Sequence, residues 1–187
     1  DFAVANPPFS TKEWSDGMTE GDDKYGRFDG FESPPEKNGD YAFLLHLIKS
    51  IKPKGKGAII LPHGVLFRRN AEGRIRKNIF KRGYIKAIIG LPSNLFYGTG
   101  IRASIIVIDK EDADSRKDIF LIDASKGFIK NGNKNKLQAK DIHKIVDVFT
   151  NQKEIPKYSR MVSIKEISNE KNDYNLNIVK YINNQEK

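Results

Sequence analysis

The apolar positions of this chain follow two periods, and the switches between them divide it into elements. The first run, Phe2-Ala3-Val4-Ala5, ends at Asn6-Pro7-Pro8. A Pro-Pro pair cannot donate to a strand ladder, so a short strand must stop there. Residues 10–39 show no periodicity and are rich in Gly, Asp, Ser and Pro, the composition of a loop. A loop of that length in a compact domain is usually functional or disordered. Asp40 is placed to cap a helix over residues 41–51, where Ala42, Leu44, Leu45, Ile48 and Ile51 share one face. Pro53-Lys54-Gly55 ends it.

Ala58-Ile59-Ile60-Leu61 is a continuous apolar run, the pattern of a strand buried on both faces, and Pro62 and Gly64 close it. Residues 71–82 predict a strongly basic helix, and residues 85–91 and 103–109 two further strands. The segment between those strands carries Gly98 and Gly100. Further on, residues 119–122 read as a strand. Residues 140–149 read as a helix with Ile142, Ile145, Val146 and Phe149 on one face, residues 161–164 as extended, and residues 178–182 as helical. Strand–helix–strand–helix–strand order specifies an α/β layer fold with parallel pairing. The two strands joined without a helix are expected to run antiparallel.

Composition narrows the function classes. With 38% hydrophobic residues the chain has enough apolar surface for a core, and no run is long enough to span a bilayer. No basic-then-apolar leader opens it, and a cytoplasmic location is expected. There is no cysteine, hence no disulfide framework or thiolate site, and His46, His63 and His143 stand singly, so no metal site is expected. The net charge of +9 is uneven: residues 1–50 carry five Lys/Arg against ten Asp/Glu, the remainder 28 against 14. A basic surface attracts polyanions and speeds their encounter, so nucleic acid stands beside plain solubility as its explanation.

Asn6-Pro7-Pro8-Phe9 directly follows the first strand, and ligands of α/β sheets sit beyond the carboxyl ends of strands. Activating an exocyclic amino group on a base means accepting both of its N–H bonds. The Asn6 side-chain oxygen is one acceptor, and a backbone carbonyl of the stiff Pro-Pro segment, that of Pro7, is the second. Phe9 offers a flat face on which a flipped base can stack. The bland alternative is a strand-ending turn with Phe9 in the core.

Asn-Pro-Pro-Phe is the hallmark of the amino-methyltransferase superfamily, and the later blocks narrow the resemblance. Asp40-Tyr41-Ala42-Phe43, Lys52-Pro53-Lys54-Gly55, Leu61-Pro62-His63-Gly64, Ile89-Gly90-Leu91-Pro92, Phe96-Tyr97-Gly98-Thr99-Gly100, Ile122-Asp123-Ala124-Ser125 and Asn172-Asp173-Tyr174-Asn175-Leu176-Asn177 run in order along nearly the whole chain. Together they resemble the modification subunits of type I restriction–modification systems. Arg102, where that family usually has Pro, and Val179-Lys180, where Pro-Arg is common, depart from it.

The resemblance implies an α/β fold, half of a Rossmann-like S-adenosylmethionine-dependent methyltransferase sheet with a small α/β tail. Residues 1–110 would be the carboxyl-terminal half of the catalytic domain and residues 111–187 an extension. The implied reaction is methyl transfer from S-adenosylmethionine to N6 of a flipped adenine in duplex DNA, carried by Asn6, Pro7, Pro8 and Phe9. The implied partners are a specificity subunit, which reads the DNA, and a restriction subunit. The family's donor site, a Gly-rich turn and an acidic strand end, lies upstream of Asn-Pro-Pro-Phe. Neither occurs here, so the chain is expected to be a fragment, inactive alone.

Phe96 and Tyr97 are candidates for holding the extruded base, and His63 for a place beside it in a supporting role. Arg68, Arg69 and Arg74 lead a basic cluster with Arg76, Lys77, Lys81 and Arg82 that suits phosphate contact or a solvated helix face. For Asp173–Asn177 a packing or subunit-contact role is expected. The rival functions are methylation of RNA or of a protein glutamine, or a non-catalytic scaffold in a DNA-bound complex.

Overall fold

Most of the apolar runs form the elements that their periods predict. A computed structural model describes residues 1–18 and 23–183, so residues 19–22 of the long loop lie outside the described residues. In chain order the elements are β1 (Phe2–Ala5), α1 (Asp40–Ser50), β2 (Lys56–Pro62), α2 (Asn70–Lys81), β3 (Ile85–Gly90) and β4 (Ala103–Asp109). They continue with β5 (Asp118–Asp123), β6 (Ile129–Asn131), β7 (Lys134–Lys136), α3 (Ala139–Asn151), β8 (Ser159–Ser163), α4 (Ile164–Ser168) and α5 (Ile178–Ile182).

The main sheet has the order β1-β2-β4-β3-β5-β8. Strands β1 and β2 are parallel, as are β3 and β5. Strand β4 lies between β2 and β3 and is antiparallel to both, and β8 is antiparallel to β5. The expected antiparallel pair is therefore present. The expectation of parallel pairing holds only in part, because the short return after β3 inserts β4 where a parallel β2–β3 pair would have formed. The consequence for function is that β1, β2, β3 and β5 all end on one rim.

Alternation along the strands sends side chains to two cores. On one face Ile59, Leu61, Ile88, Ile106, Ile108 and Leu121 pack with Leu44, Leu45 and Ile48 of α1, Ile75 and Ile79 of α2, and Ile178 of α5. Each fully buried Leu or Ile there contributes about 1.5–3 kcal/mol. On the other face Ala87, Ile89, Phe120 and Ile122 pack with Ile145 and Val148 of α3. Ile142, Ile145, Val146 and Phe149 share one face of that helix, as expected, and line an apolar groove of about 540 Å³; Ile142 and Val146 stay half exposed there, and Val148 is buried as well.

Three further differences from the sequence expectations have physical causes. The α1 cap position is Gly39, without a side-chain cap, and Asp40 is the first helical residue, fully buried, with its carboxylate turned to other donors. The hairpin β6–β7 is a separate two-stranded sheet of mostly polar residues, which leaves no apolar period to read. The described parts of the long loop are tied down: Trp14 Nε1 donates to Pro35 O (2.8 Å), Phe28 and Phe31 pack on the core, and Arg74 pairs with Glu32. Among the described residues no helix is long and apolar enough to cross a membrane.

Candidate active site at the carboxyl rim of the sheet

Asn6–Phe9 leave β1 at the rim, His63 leaves β2 there, and the loop carrying Phe96 leaves β3 there. The chain thus brings together three segments far apart in sequence. The Phe9 and Phe96 rings meet edge to face, centroids 5.3 Å apart and planes at 73°. Tyr97 is 93% exposed and points away from this contact into solvent. Among the described residues nothing donates to the Asn6 side-chain oxygen or to the Pro7 carbonyl. The Pro8 carbonyl, by contrast, accepts from the Thr11 hydroxyl (3.2 Å). Both acceptors that the sequence singled out are thus without a protein donor among the described residues.

The tetrapeptide is held from behind by a residue expected only to cap a helix. Ser10, at φ 51°, donates its backbone N–H to Asp40 Oδ1 (2.8 Å) and its hydroxyl to Oδ2 (3.3 Å). The same carboxylate accepts from Arg68 Nη1 (2.8 Å), which also reaches Glu72 Oε1 (3.1 Å). Burial pushes the Glu72 carboxyl up, against the pull of Arg68. The anchoring of the Asn6–Phe9 turn therefore runs through a charged network inside the protein.

That network changes the view of the basic cluster. The Arg68 guanidinium is turned inward to Asp40 and Glu72 and is not presented to solvent phosphate. Arg74 is exposed but makes a two-pronged pair with Glu32 (2.6 and 2.8 Å). Arg76 is buried and donates to the carbonyls of Val65, Arg68 and Tyr174. Arg69 is exposed and has no ionic partner among the described residues.

His63 donates its backbone N–H to Arg102 O (2.9 Å), and its Nδ1 meets Ser104 Oγ at 2.7 Å. Burial, helped by the nearby Arg102 cation, lowers its pKa to about 4, while Asn177 and Asp123 pull the other way. The ring is neutral at neutral pH. Arg102 bridges Asp123 Oδ1 (2.6 Å) and Leu91 O (3.0 Å), closing the base of the Phe96 loop. This is what the departure from the usual Pro accomplishes in this chain.

Segment Asp173–Asn177 packs against the β2–α2 part of the fold. Leu176 N–H donates to Leu66 O (2.8 Å), the Tyr174 ring meets Phe80 at 5.5 Å, and Asn177 lies beside His63. Sequence reasoning missed Asp40 as an anchor, although Asp40-Tyr41-Ala42-Phe43 was itself a recognised block. It also missed Ser104, which has no signal beyond its place on a strand.

The family described as N-6 DNA Methylase matches residues 1–187. The chain is 35% identical, over 99% of its length and 34% of the relative's, to the type I restriction enzyme MpnII methylase subunit of Mycoplasma pneumoniae. It is also 35% identical, over 97% of its length and 32% of the relative's, to the MjaVII methylase subunit of Methanocaldococcus jannaschii. The chain thus spans about a third of the length of these curated relatives. A crystal structure of a type I restriction–modification methyltransferase subunit from Streptococcus thermophilus is 40% identical, with a TM-score of 0.85, covering 95% of this chain and 37% of that one. Its agreement over so much of the chain places the fold among Rossmann-like methyltransferases.

Proposed function

The chain belongs to the N-6 DNA methylase family, and from that premise we propose that its carboxyl rim is the acceptor side of a type I modification methyltransferase acting on adenine N6 in duplex DNA. The observation that carries this is the pair of open acceptors, Asn6 Oδ1 and Pro7 O, on a turn whose Phe9 ring already faces Phe96. The two acceptors take the two N6–H bonds of a flipped adenine and draw its nitrogen toward a tetrahedral shape. Phe9 supports one face of the base and Phe96 the other. Neutral His63 supports the rim through Ser104, and no general base is required, because the N6 proton leaves after the methyl arrives.

The residues fit the acceptor better than the donor. S-Adenosylmethionine supplies an electrophilic methyl carbon when bound. A Gly-rich turn opening a helix, which would let backbone approach its carboxylate and ribose, does not occur in residues 1–187, and β1 has β2 as its neighbour on one side alone among the described strands. In this proposal the remainder of the donor site, the specificity subunit and the restriction subunit lie outside the chain. Arg69, Arg74 and Lys81 are the exposed cations of the basic cluster that DNA phosphate would meet, Arg74 while paired with Glu32.

The test is single-turnover transfer of labelled methyl to duplex DNA by the assembly containing this chain, followed by digestion to nucleosides. Label in N6-methyladenine is the expected result. Label on cytosine, on RNA alone or on protein glutamine would overturn the proposal.

A further inference from the structure

The Phe96 loop sets Leu95 and Phe96, both partly buried, on the second core, while Ser93, Tyr97, Gly98 and Gly100 around them are exposed. It turns through Asn94 and Gly98, both at positive φ (58° and 76°), and such segments sit at the low-stability end of a fold. Yet Phe96 is held at a definite height against Phe9. Its ring rests on the second core, and its backbone is held by the small polar hairpin from the tail. Lys134 Nζ donates to Phe96 O (2.7 Å), Thr99 O (2.9 Å) and Asn94 Oδ1 (3.1 Å), so all three ammonium protons go to this one loop. Its neighbours complete the grip: Asn94 Nδ2 donates to Asn133 O (2.6 Å), Asn135 N–H to Asn94 O (2.9 Å), and Asn135 Nδ2 to Ser93 O (2.7 Å).

We propose that Lys134 is a positioning residue for methyl transfer, its ammonium fixing the Phe96 loop so that the base is received against a preset aromatic wall. The inference rests on the adenine-stacking function proposed above. The hairpin shares no strand pairing with the main sheet, so its bonds to the loop, beside the packing of Leu137 on the second core, tie it to the rim. Bonds from a charged donor are roughly twice as strong as neutral ones, and here two go to the loop's backbone, at Phe96 O and Thr99 O, and the third to the Asn94 side chain. A cation here orders the loop before DNA arrives, so that the ordering cost does not fall on base capture. Lys134 touches neither base nor donor. Its effect passes through Phe96.

The experiment compares Lys134→Met and Lys134→Arg with the wild type in the complete methyltransferase assembly. Three quantities are read: hydrogen exchange of the amides of residues 94–101 without DNA, fluorescence of 2-aminopurine at the target position, and kcat separately from KM. Lys134→Met should speed loop exchange about tenfold, as expected when a local clamp is lost. It should also lower the 2-aminopurine signal and reduce kcat by about tenfold to a hundredfold, the scale of a small misplacement, with KM for the donor and the melting temperature little changed. Lys134→Arg, long enough to reach the same carbonyls, should restore most of each. Unchanged loop exchange in Lys134→Met overturns the clamp, and so does normal fluorescence at matched stability. If Lys134→Met lowers the melting temperature of the whole assembly, failure of Lys134→Arg at wild-type stability overturns it as well. A wild type that methylates no adenine removes the proposed function, while the exchange measurement still decides whether Lys134 holds the loop.

Discussion

Phe9 and Phe96 touch edge to face, each delivered to the rim by the end of a different strand, with 5.3 Å between ring centroids. A base lying flat between them needs about 7 Å, two layers of van der Waals contact, and two parallel faces, so the rings must part and one must turn to admit it. Phe9→Ala should weaken capture of the flipped base by about 1–3 kcal/mol, the usual worth of one stacked base. Phe9→Tyr and Phe9→Trp should be milder, since a flat face is what matters. In a double-mutant cycle with Phe96→Ala, read by 2-aminopurine fluorescence, the two losses should be coupled. Strictly additive losses would mean that the rings act on different groups.

Asn6→Ala should lower methylation by at least about 10²-fold while DNA binding changes little, because an acceptor at the reacting nitrogen works mainly in the transition state. Single-turnover rates and a binding titration of the same variant decide it. Near-normal turnover would remove Asn6 from the chemistry.

Asp40 joins the Asn6–Phe9 turn to the fold, and its replacement should show in stability first. Asp40→Asn leaves Arg68 with Glu72 alone and takes a charge from the Ser10 N–H. Breaking a buried pair costs about 3–5 kcal/mol, and the surviving Glu72 contact argues for the lower end. Denaturant unfolding of Asp40→Asn is the measurement. A loss under about 1 kcal/mol, the worth of an exposed pair, would show that the network is effectively solvated.

The neutral state of His63 has a pH signature. The unfolded ring titrates near its ordinary 6.5 and the folded ring near about 4. Below 6.5 the unfolded chain takes up a proton that the folded one refuses. This part of the stability is therefore full above pH 6.5, falls by at most about 1.4 kcal/mol per unit toward pH 4, and is level below that. Partial solvent access to the ring makes the slope shallower. The stability gap between wild type and His63→Gln, from urea midpoints at about pH 7.5 and pH 4.5, should narrow on acidification. A gap independent of pH would place His63 in water.

Residues 1–187 on their own should show no calorimetric binding of S-adenosylmethionine at micromolar affinity, since they hold no Gly-rich turn to approach it. A clean one-to-one isotherm would falsify the assignment of this rim to the acceptor side.

Much of this was legible in the sequence because apolar period reports burial directly. The runs at Ala58–Leu61 and Ile105–Ile108 became central strands, and the Pro-Pro stop put Asn6 at a strand end. What stayed hidden depends on polar groups that meet across long separations. Asp40 looks like a cap because a carboxylate before a helix usually is one, and only the folded chain shows it bonded to Ser10 and Arg68. Arg68 looked like a phosphate contact because charge in a sequence carries no direction. Lys134 sits in a hairpin of polar residues that no hydrophobic pattern marks.

The bond from Arg76 to the Tyr174 carbonyl, with that of Leu176 to Leu66, bears on how such chains can recombine. Here β5 is laddered to β3 on one side and β8 on the other, and α5 packs in the same core as α1. A crossover between two relatives near residue 110 would thus unite a floor and a wall that had never been matched. Viable hybrids should inherit Arg76, Leu66 and the 173–177 segment from a single parent, and a library of shuffled genes sorted for survival would display that linkage as forbidden pairings.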